Sequence, residues 1–171
     1  MGLIFLCGLP GSGKSTVGQA VADALELAFV DLDKEIEQEC DRSIGEIFEQ
    51  DGEAFFRVLE TQALTRACAL GKAVIALGAG VLENEENLAS ILECGRLIYL
   101  RVPVDEIVAR VSNWNTRPLF RECVTKKMVA DKLNALLYRR ETRYLKADIV
   151  LDFTENENAA QTAARLVTLL K

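Results

Sequence analysis

The sequence predicts an α/β protein in which a parallel sheet is wrapped by helices on both faces, and three observations carry that expectation. Short apolar runs alternate with segments of helical period, the first run leads straight into a glycine-rich loop that opens a helix, and 171 residues, 50% of them hydrophobic, suffice for one cored domain but not two. One active site is therefore expected.

The apolar runs are Leu3–Cys7, Ala28–Val30, Ala73–Leu77, Leu97–Leu100 and Ile149–Leu151. They are short and continuous rather than alternating, as strands buried on both faces require. Helical spacing of apolar residues fills the intervals Lys14–Leu25, Lys34–Cys40, Ile44–Glu49, Glu53–Leu70, Glu85–Leu92, Asp105–Val111, Val124–Tyr144 and Ala159–Leu170. The polar stretch Ser112–Arg121, with Pro118 in its middle, interrupts two helices and reads as a mobile loop carrying Arg117 and Arg121.

Composition narrows the chemistry. A formal charge of −6 disfavours nucleic acid or an anionic membrane as partner, so any bound anion must be met by locally placed arginines. The five cysteines are scattered without a CxxC pair in a chain with no signal peptide, which reads as reduced, mostly buried thiols of a cytoplasmic protein. Histidine is absent, removing His-based triads and the commonest zinc ligand. No apolar run approaches the ~18 residues of a membrane span.

The strongest local signal is Gly8-Leu-Pro-Gly-Ser-Gly-Lys14-Ser15, a Walker phosphate-binding pattern between a strand and a helix. Glycines allow consecutive backbone N–H groups to turn inward, the helix offers its positive N-terminus, and Lys14 reaches the β- and γ-phosphates of ATP. Gly11, Ser12, Gly13, Lys14, Ser15 and Thr16 form the expected nucleotide contact, with the Ser15 hydroxyl directed to Mg²⁺. A guanine switch is disfavoured because no Asn-Lys-x-Asp occurs.

Acceptor-side candidates follow the strands. Asp31 and Asp33 stand after the second strand, on the same side if the chain stays extended; one could support Mg²⁺ and the other accept a hydroxyl proton, against the blander alternative of a helix N-cap at Asp33. Arg57 and Glu60 lie one helical turn apart, a carboxylate-held fork for a substrate anion or an ordinary surface ion pair. Gly78-Ala79-Gly80 follows the third strand, where small residues admit a ligand close to the backbone. Arg139, Arg140 and Arg143 cluster near the end of the long later helix.

In order and spacing these pieces resemble the shikimate kinase family, a group of small ATP-dependent P-loop kinases with a nucleoside-monophosphate-kinase-like fold. The resemblance runs from the Walker loop through Asp31-Leu-Asp33, Ser43-Ile-Gly-Glu-Ile-Phe48, Asp51-Gly-Glu-Ala-Phe-Phe-Arg57 with Glu60, the turn at 78–80, Arg117-Pro-Leu and Arg140-x-x-x-Tyr144. It implies five parallel strands in the order 2-3-1-4-5, one kinase domain over 1–171, an acceptor-binding segment at about 31–60 and a lid at about 112–124. It also implies a Mg²⁺ role for Asp31 beside Ser15. Asp33 becomes the hydroxyl-binding residue and candidate base, Arg57 and Arg140 a grip on the shikimate carboxylate, and Gly78, Ala79 and Gly80 the ring wall. Arg117 becomes the lid arginine and Arg110 the residue stacked on adenine.

Three features depart from the family pattern, one of them the short spacing from Tyr144 to Ala147-Asp148, which bears on whether Arg139 or Arg140 faces the substrate. Ala79 stands where the family usually carries glycine, a change that requires φ below zero there, and 152–158 lacks the proline often set against adenine. An ungapped match through Ala135-Leu136 favours Arg140 over Arg139 as the inward arginine. The implied reaction is ATP-dependent phosphorylation of the 3-hydroxyl of shikimate, catalysed by Lys14, Asp33 and Arg117 in a monomer. A kinase of another small acid or sugar such as gluconate, and a non-catalytic nucleotide-binding regulator, are the alternatives.

Overall fold

The computed structural model of the chain describes residues 2–111, 114 and 118–171. Its centre is β1 (Leu3–Cys7), which leads through the glycine loop into α1 (Lys14–Leu25). Then follow β2 (Phe29–Asp31), α2 (Leu32–Cys40), α3 (Ile44–Gln50), α4 (Gly52–Cys68) and β3 (Ala73–Ala76). A 3-10 turn at Val81–Glu83 precedes α5 (Glu85–Cys94), β4 (Gly95–Arg101) and α6 (Val104–Arg110). The chain closes with a 3-10 turn at Pro118–Phe120, α7 (Lys126–Tyr144), β5 (Ile149–Asp152) and α8 (Ala159–Leu170).

Among the described residues the sheet has five parallel strands in the order β2-β3-β1-β4-β5, as the resemblance implied. Alternate residues of β1 feed two cores. Leu3, Phe5 and Cys7 pack with α2, α4, α5 and α7, whereas Ile4 and Leu6 pack with Val17 and Val21 of α1 and Leu166 of α8. Burial on both faces is why the strand runs are uninterruptedly apolar. Beyond the end of β3, the Leu77 N–H still donates to the Leu6 carbonyl at 3.0 Å, tying the two central strand ends together.

Local chemistry sets the boundaries. β4 begins two residues earlier than the apolar run suggests, because Gly95 pairs with Leu3, and a Cβ there would lie 2.4 Å from the Leu3 carbonyl. Ser43 and Glu46 form a reciprocal capping box that starts α3. The larger difference is at β2: the chain does not stay extended past Asp31. Helix α2 begins at Leu32 with Asp31 itself as N-cap, its carboxylate accepting from Lys34 N–H, and Asp33 sits in the first turn. Asp31 and Asp33 therefore diverge by helical rotation instead of sharing a strand face.

All five cysteines are free thiols, but Cys94 is exposed and Cys40, Cys68 and Cys123 only partly covered. Burial pushes the Cys7 thiol up to about 12; Cys68 rises similarly through burial and its contact with Cys94.

Candidate active site

The carboxyl ends of β1, β2 and β3 open onto one cleft, the expected place for a ligand in an open α/β sheet. In the loop after β1, Gly8, Gly11 and Gly13 have φ of 145°, 82° and 93°, conformations that side chains rarely adopt. Space is also closed at Gly8, where a Cβ would lie 2.8 Å from the Leu100 carbonyl. Lys14 bridges the loop from within, its ammonium donating to the Gly8 and Leu9 carbonyls at 3.0 Å each. The Ser12 hydroxyl is buried with no hydrogen-bond partner among the described residues, an unmet polar group in a loop otherwise lined by backbone amides.

Ser15 on α1 donates to Asp31 at 2.5 Å, bringing a hydroxyl and a carboxylate together across the β1 and β2 ends. Among the described residues no group of three or more acidic or thiol side chains could hold a metal alone. Two adjacent hard oxygen donors nevertheless fit Mg²⁺, which keeps several waters and takes phosphate oxygens alongside one or two protein ligands.

Beside the loop lies a cavity of about 590 Å³, walled by Asp33, Arg57, Glu60, Ala79, Gly80 and Arg140 among others. Arg57 on α4 donates to Glu60 at 2.7 Å and to Glu53 at 2.9 Å. Glu60 is 1% exposed, and burial raises its carboxyl to about 7 against the pull of Arg57. Burial opposes the Arg57 charge, but Glu60 and Glu53 outweigh it and hold the guanidinium more firmly protonated.

These groups crowd the turn after β3. A Cβ on Gly78 would lie 2.5 Å from a Glu60 oxygen and 2.8 Å from an Asp33 oxygen; one on Gly80 would lie 2.5 Å from an Arg57 nitrogen. Neither glycine has positive φ, so both are required for space alone. Ala79 between them also avoids positive φ, the condition that its methyl group needs. Its carbonyl accepts from the buried Tyr144 hydroxyl at 2.9 Å, and Tyr144 packs on Tyr99 with centroids 5.0 Å apart.

At the end of α7, Arg140 is 6% exposed and Arg139 points outward with 65% of its side chain exposed. Glu83, from the 3-10 turn, holds both: Arg140 Nε and Nη2 donate at 3.0 and 3.4 Å, and Arg139 Nη2 at 3.1 Å. Burial opposes ionisation of Glu83, but the two guanidinia prevail and keep its carboxyl below the usual range. Arg121 pairs with Glu49 and lines this cavity too.

A second cavity of about 630 Å³ runs along Lys14, Ser15 and Asp31 and meets the first at Pro10, Asp33 and Ala79. A third, of about 270 Å³, lies between Gly11–Gly13 and the end of β5. There the Arg110 guanidinium lies 4.6 Å over the Phe153 ring, a cation–π contact at the cavity's edge. Arg117 lies outside the described residues. Sequence reasoning missed Glu83 and Phe153. Glu83 reads as one more acid beside a helix start, and no pattern announces that it meets α7.

The sequence profile of the family described as Shikimate kinase matches residues 10–171. Shikimate kinase of Chlorobaculum tepidum is 40% identical over 168 residues, covering 96% of this chain and 87% of the relative. That of Chlorobium chlorochromatii is 41% identical, covering 96% and 88%. Among solved structures, shikimate kinase from Acinetobacter baumannii in complex with shikimate superposes with a TM-score of 0.90 at 32% identity, over 99% of this chain and 93% of that one.

Proposed function

The chain belongs to the shikimate kinase family, and from that premise we propose that it transfers the γ-phosphoryl group of ATP to the 3-hydroxyl of shikimate. The carrying observation is the meeting of two cavities at Asp33 and Ala79, one lined by Lys14 and Ser15, the other by Arg57 and Arg140. Shikimate is an anion with three hydroxyls, and the two guanidinia suit its carboxylate while Asp33 faces the junction.

In this reading Asp33 orients the 3-hydroxyl and takes its proton as the new O–P bond forms and the bond from γ-phosphorus to the bridging oxygen breaks, giving ADP and shikimate 3-phosphate. Lys14 leaves the Gly8 and Leu9 carbonyls for the phosphates and offsets their charge. Ser12 gains the partner it lacks. Ser15 and Asp31 would hold Mg²⁺, which would neutralise phosphate charge there. Arg110 and Phe153 flank the place for adenine.

We carry forward, on the sequence pattern alone, 1–171 as a single kinase domain, 31–60 as its acceptor segment, and 112–124 with Arg117 as a lid that excludes water. Free thiols support a reducing, cytoplasmic setting, and we infer a monomer; no described helix is long and apolar enough to cross a membrane. A coupled assay of ADP release should show turnover that depends on shikimate. ATP consumption by folded protein that shikimate does not stimulate would refute the assignment.

A further inference from the structure

We propose that Glu83 is a positioning residue for the acceptor: its carboxylate sets the orientation of Arg140 so that the guanidinium can take the substrate carboxylate. This rests on the shikimate reading above. Arg140 is 6% exposed, so its charge sits where rotamer choice matters and solvent gives little support. Glu83 engages Nε and Nη2, fixing the plane of the fork and leaving Nη1 outside the clamp. The same Oε1 also accepts from Arg139, so the carboxylate is held from the solvent side while it holds Arg140 from the cavity side. Glu83 is itself placed by the chain: it closes the 3-10 turn that starts at Gly80, with its N–H bonded to the Gly80 carbonyl at 2.9 Å. The turn that forms the acceptor wall thus also fixes the arginine across from it.

Two readings of Glu83 have opposite signs. As a competitor it would occupy hydrogen bonds that the substrate needs, and its removal would tighten binding. As a positioning group its removal frees a buried guanidinium to wander and weakens binding. The paired contact, bidentate and shared with Arg139, favours the second.

The test is titration of shikimate into the unchanged chain, Glu83→Ala and Glu83→Gln by calorimetry, with steady-state kinetics on each. Glu83→Ala should raise the shikimate Kd and KM by about tenfold or more, the scale of one charge-assisted hydrogen bond, with the ATP KM unchanged. Glu83→Gln keeps an oxygen for Nε and should recover part of the loss. An unchanged or lower shikimate Kd in Glu83→Ala overturns the proposal while the unchanged chain still binds shikimate. A parallel rise in the ATP KM overturns it too, since that marks general damage. Absence of shikimate binding by the unchanged chain would instead bring down the functional reading beneath it.

Discussion

Gly78→Ala tests whether the acceptor wall is tight for the reason given. The added methyl would lie 2.5 Å from Glu60 Oε1 and 2.8 Å from Asp33 Oδ1, where ordinary contact begins at 3.4 Å. Asp33 must then retreat by about 0.6 Å and Glu60 by about 0.9 Å. Glu60 has little room, being buried and bonded to Arg57, so the strain falls on Asp33 and on the backbone of the turn. A misplacement of ~1 Å near the chemistry costs about a hundredfold, so kcat should fall on the order of tenfold to a hundredfold. Overpacking should also remove about 1–3 kcal/mol of stability, or about 2–4 °C in Tm for each kcal/mol. Gly2→Ala is the silent control, because its Cβ meets only the Gly71 carbonyl at 4.0 Å. The assay is coupled ADP release with saturating ATP and shikimate, beside thermal unfolding. A folded Gly78→Ala protein with kcat within about twofold of the unchanged chain would refute the steric argument.

Other perturbations read different parts of the site. Arg140→Ala should raise the shikimate KM by at least about tenfold, while the exposed Arg139→Ala should shift it by less than about threefold; equal effects in the two variants would undo the inward and outward assignment. Glu60 has a folded pKa raised to about 7 from an ordinary 4.5, so the stability it contributes is fully present below about 4.5 and lost as pH rises through about 7. Urea unfolding from pH 5 to 8 should show this decline, on the order of 3 kcal/mol, flattened in Glu60→Gln, and parallel profiles for the two proteins would count against it. Tyr144→Phe leaves the Ala79 carbonyl without its donor and should cost about 1 kcal/mol, read as a lower urea midpoint; no change would mean that the bond carries no net stability.

Strands were legible because burial on both faces writes them as unbroken apolar runs, and Leu3–Cys7 and Lys14–Leu25 have the limits that the pattern predicted. Strand order is not local information; it came from resemblance, and the sheet has that order. Within the cleft, residue types were readable but relative orientation was not. Asp31 and Asp33 look like neighbours on one strand face until the helix is seen to begin between them. The contact between Glu83 and Arg140 spans 57 positions and joins two elements with no shared pattern, so neither residue's surroundings foretell the other. Gly78 and Gly80 were legible as small, but the carboxylates and guanidinium that require them to be small were not.

The hydrogen bond from Leu77 to Leu6 makes the cleft floor a gauge of fixed width. One side of that gauge carries the phosphate loop and the other the acceptor turn, on adjacent strands that backbone pairing keeps roughly 4.8 Å apart. Substitution of side chains does not alter this spacing. What differs from one acceptor cavity to another on this floor must therefore come from the side chains that line it, those of α3, α4 and α7 and the turn at 78–80.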